Sequence, residues 1–152
     1  MITSDFSAYA VRVDMHMHRP VSASDIRSRV EGLMTDITLA CLQAGADLIG
    51  HIKCIVETDG RGFLAVSVTT HDGKAMSRGE LEEGIDEMDI IINVLLYGLS
   101  RKVIQEIVDP LALREMSFPG AHVRIEDLEK AHDHDHEHHD HDNEEHHDHG
   151  HD

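Results

Sequence analysis

The amino-acid sequence predicts an α+β fold in which two helices cover one face of an antiparallel sheet, in the order β-α-β-β-α with room for a short fourth strand. Three observations carry that prediction. Residues 9–18 alternate between apolar and polar, the period of a half-buried strand. Residues 26–41 repeat their apolar positions every three or four residues, the period of an amphipathic helix. Two further alternating runs between 48 and 70 flank Asp59-Gly60-Arg61-Gly62, a hairpin signal.

The elements follow in chain order. Residues 1–8 are a flexible lead-in. In the first strand Val11, Val13, Met15 and Met17 point one way and Arg12, Asp14, His16 and His18 the other. Arg19-Pro20-Val21-Ser22 breaks it, because proline cannot donate to a ladder. Ser22 with Asp25, or Ser24 alone, caps the helix that follows. Its stripe is Ile26, Val30, Leu33, Ile37 and Cys41, and Gly45 suits the left-handed residue just past a helix ending near Ala44. The second strand, 48–58, directs Leu48, Gly50, Ile52, Cys54 and Val56 at the core; the third, 63–70, directs Leu64, Val66 and Val68.

Ser77 and Glu80 then read as a capping box opening a long helix. Its stripe is Leu81, Ile85, Met88, Ile92, Leu95 and Leu99, and Pro110 ends it. At 90–96 this helix is apolar on nearly every side, which predicts a homo-oligomer with a partner subunit against it. After Phe118-Pro119-Gly120, residues 122–125 supply the short last strand. This order of elements resembles the split βαβ arrangement of ferredoxin-like sandwiches, a fold that serves many functions and chooses none. The domain prediction is a single α/β domain over 9–131 and a disordered His/acid-rich tail over 132–152.

Charge narrows the function. The chain has 152 residues with 13 Lys and Arg against 30 Asp and Glu, a formal net charge of −17. That field repels phosphate backbones and anionic lipid, so neither nucleic acid nor membrane is an expected partner. No apolar run reaches the ~18 residues of a membrane span, and the N-terminus lacks the regions of a signal peptide. Cys41 and Cys54 make neither a disulfide framework nor a zinc knuckle. Cytoplasm is the expected compartment. The motifs of serine hydrolases, phosphate-binding loops and zinc proteases are missing, which weighs against an enzyme. The cluster of Glu80, Glu82, Glu83, Asp86 and Glu87 reads as a solvated face.

The tail carries the chemistry. His132, His134, His136, His138, His139, His141, His146, His147, His149 and His151 alternate with nine acids, and the segment has no apolar side chain. Imidazole is the protein ligand of borderline divalent ions, and carboxylates offset the ion's charge. At three or four imidazoles per ion the tail would hold ~2–3 ions, exchanging them readily because each capture orders a chain with nothing to bury. The tail resembles the His-rich extensions of nickel accessory proteins in urease and hydrogenase maturation. That resemblance implies nickel first, then zinc and cobalt, delivered to a recipient protein on which the body docks.

Body histidines are the second candidate site. A hairpin register with Thr58 opposite Leu64 makes His51 and His71 cross-strand neighbours within reach of one ion. His16 and His18, at i and i+2, share the face away from the helices. Met15 and Met17 fall on the opposite face and read as core, as do both cysteines. Two alternatives stand beside metal handling: an oligomeric domain that senses a metal or ligand, and a small enzyme with the tail as its metal store.

Overall fold

A computed structural model describes residues 6–129. The ten tail histidines and the first five residues lie outside the described residues. The elements are β1 (Phe6–Val21), α1 (Ala23–Gln43), β2 (Leu48–Thr58), β3 (Phe63–Val68), β4 (Met76–Arg78), β5 (Ile85–Tyr97), α2 (Arg101–Glu115) and β6 (Ala121–Asp127). The fold class is α+β, with six strands in one sheet in the order β4-β3-β2-β5-β1-β6. Every neighbouring pair is antiparallel.

Both helices form where the sequence caps them. The Ser22 hydroxyl accepts from the Asp25 amide, and Ile26, Val30, Leu33, Met34, Ile37 and Cys41 are buried along α1. Ser100 caps α2 by accepting from the Val103 amide. The helices pack on each other and on one face of the sheet. Against them stand Val11, Val13, Met15 and Met17 of β1 and Ile90, Ile92, Val94 and Leu96 of β5, all at most 2% exposed. Among the described residues the other face carries no helix. Among the described residues no helix is long and apolar enough to cross a membrane.

The main departure from the sequence reading is β5. The expected long helix from Ser77 does not form: 85–97 is the strand between β1 and β2, and the helix occupies only Arg101–Glu115. Ile85, Met88, Ile92, Leu95 and Leu99 do recur at helical spacing. The same stretch also alternates, with Ile90, Ile92, Val94 and Leu96 buried and Asp89, Ile91, Asn93 and Leu95 on the open face. A run apolar at both parities fits either period, and its β-branched residues together with pairing on both sides decide for the strand. Ser77 caps nothing; it lies in β4 and its hydroxyl donates to the Glu31 carboxylate at 2.5 Å. Pro110 sits inside α2 and does not end it.

β2 differs more finely. The ladder with β5 shifts between Ile49 and His51, so Ile49 and Ile52 both face the core while Leu48 is 51% exposed. The bulge at Gly50 therefore replaces the expected inward Leu48 and Gly50. Gly50 lies so close to β5 that a Cβ there would stand 3.0 Å from the Leu95 carbonyl oxygen.

Candidate metal centre

The structure separates the histidine pair that the sequence brings together. β2 and β3 pair Val56 with Leu64 and Glu57 with Phe63, two residues off the expected register. β3 ends at Val68, leaving His71 in the turn that follows. His51 instead stands opposite Leu95 of β5. Its Nε2 is buried and has no hydrogen-bond partner among the described residues, in a hollow it shares with Lys53, Asn93 and Glu129. The register therefore does not set His51 directly opposite His71.

His16 and His18 lie where alternation puts them, exposed on the open face. The sequence reading missed their neighbour. β6 runs antiparallel to β1 and sets His122 directly opposite His16. The His18 and His122 rings meet edge to face with centroids 5.4 Å apart. On the other flank of β1, His16 pairs with Glu87 of β5, and His16 Nδ1 is 3.1 Å from Glu87 Oε1. The missed signal was the period-two fragment His122, Arg124, Glu126 in β6, legible only once β6 is known to pair with β1.

Beside this corner three carboxylates stand in one row across the sheet. Asp14 faces Asp89 from β1, and Glu57 faces it from β2. With His16, Asp59 and Glu87 they line an open hollow of about 390 Å³. Like charges directly opposite on a sheet repel. Burial, then the charge and hydrogen bond of Asp14, then Glu57, push the Asp89 carboxyl above its usual range, against the pull of Arg12. Cations are drawn to such a hollow.

The sulfur side chains face the core. Met15 and Met17 are buried, as alternation requires. Cys41 and Cys54 are buried too, and burial pushes their thiols up to about 11 and about 12. Among the described residues, no three His, Cys, Asp or Glu side chains stand as a ready-made metal cage. The chain matches no protein-family model, no curated protein and no solved structure.

Proposed function

We propose that this protein is a cytoplasmic metal-handling accessory protein that buffers or delivers divalent transition ions, nickel first and then zinc and cobalt, through its His-rich tail. The observation that carries the reading is compositional: residues 132–152 contain ten of the chain's fifteen histidines, interleaved with nine acids. Supporting it, among the described residues the large buried side chains run from Tyr9 to Phe118 and make one core, while the tail has no apolar side chain to add to it. Protons compete with metal for unperturbed imidazoles, which titrate near pH ~6.5, so ions should be released on mild acidification. Equilibrium dialysis of the full chain against Ni²⁺ at pH 7.5 and pH 5.5 tests this: several ions bound at the higher pH, few at the lower.

The proposal extends to the frame. β1 and β2 are parallel, joined through α1, with β5 between them; β5 and β6 are parallel, joined through α2, with β1 between them. Two interlocked βαβ units support reading β2-β5-β1-β6 as a ferredoxin-like sandwich, with β3 and β4 added beyond β2.

A second reading, an oligomeric sensing domain, draws on the open sheet face. Ile55, Ile91 and Leu95 lie at its centre, and Phe6 packs on Tyr97 at one end with centroids 5.3 Å apart. At ~3.4 Å per residue and ~4.8 Å between strands, the face covers ~700 Å² per copy. Its apolar centre lies apart from the acid row and from the corner of His16, His18 and His122. We propose a homodimer through that apolar centre.

A further inference from the structure

We propose that His16, His18 and His122 form a metal site of the body, a three-imidazole centre at the β1–β6 corner of the sheet that exchanges ions with the tail. It deepens the metal-handling reading and rests on it only for the identity of the cargo. The placement comes from the ladder. His16 and His18 lie two apart on one strand, and His122 stands opposite His16 on the next, so the three imidazoles project from one face at the corners of a triangle ~5–7 Å on a side. Two imidazoles bound at ~2.1 Å to one tetrahedral ion have ring centres ~5 Å apart. The His18 and His122 rings already stand 5.4 Å apart.

His16 completes the set by a rotation of its side chain, which exposure permits. In its present rotamer His16 Nδ1 lies 3.1 Å from Glu87 Oε1, on the flank of β1 away from β6, and the rotation exchanges that contact for the metal. The row of Asp14, Asp89 and Glu57 beside it raises the local concentration of cations and offsets an ion's charge. Three imidazoles leave one position of a tetrahedral ion open.

The test uses the full-length chain with its ten tail histidines replaced by asparagine. Titrated with Co²⁺ at neutral pH, that chain should bind one ion with the visible absorption of a four-coordinate centre, displaced by Zn²⁺. His122→Ala should weaken binding at least tenfold, while His51→Ala and His71→Ala leave it unchanged. Far-UV circular dichroism should be the same for all, since these side chains lie outside the core; His122→Gln repeats the test should the alanine variant lose structure. Failure of the asparagine-tailed chain to bind Co²⁺, or binding indifferent to His122, overturns the site. Whether the wild-type chain binds additional ions is read separately, and decides the tail alone.

Discussion

Glu115, near the end of α2, hydrogen-bonds to Asp36 of α1. Burial, then that hydrogen bond and the Asp36 charge, raise its carboxyl from an ordinary 4.5 to about 7, against the nearby Arg114. A carboxyl whose folded pKa is raised contributes stability that is fully present below its unfolded pKa. That contribution is lost as pH rises through about 7. Glu115→Gln should therefore stabilise the protein at pH 8 by about 1 kcal/mol, the full linkage value being reduced by solvent screening. The difference from wild type should vanish near pH 4.5. Thermal unfolding at the two pH values checks it. Asp89 follows the same sign, from burial first and then from Asp14 and Glu57 beside it, so Asp89→Asn should also raise the melting temperature at neutral pH. Both effects were hidden in the sequence, because each needs two elements brought together by the fold.

At the scale of elements, Gly98 shows how the long-helix reading failed. Within a helix it would be a bend; here it has φ of +99° and ends β5. A Cβ there would stand 2.8 Å from the Asp47 amide nitrogen. Gly98→Ala should destabilise the fold by ~1–3 kcal/mol, measured by urea unfolding, whereas a helical Gly→Ala would stabilise it. β1, α1, β2 and the hairpin after it were legible because each has one clean period and a cap or turn signal. β5 was not, since residues 90–96 are apolar at both parities and only pairing with β1 and β2 selects the strand. His16 and His18 were placed on the right face by alternation alone. His122 was invisible, because cross-strand partners distant in sequence leave no local trace. The His51–His71 pairing failed through a two-residue register difference in the β2–β3 hairpin, a quantity set by the turn at Asp59-Gly60.

For the whole molecule, the proposals rest on the open sheet face among the described residues and on the composition of the tail. Face-to-face dimerisation predicts that Ile91→Glu, which places a charge at the centre of the interface, converts dimer to monomer without loss of secondary structure. Sedimentation velocity of wild type and variant checks this; a wild-type chain that stays monomeric at high concentration contradicts it. The proposed function is tested at the tail. The most direct measurement is metal content by mass spectrometry of protein purified without an affinity column and equilibrated with Ni²⁺, comparing the full chain with one truncated after Ala131. The account predicts several ions on the full chain and at most one on the truncated chain, with melting temperature nearly unchanged because no apolar surface is lost. Equal metal content in the two proteins would contradict it.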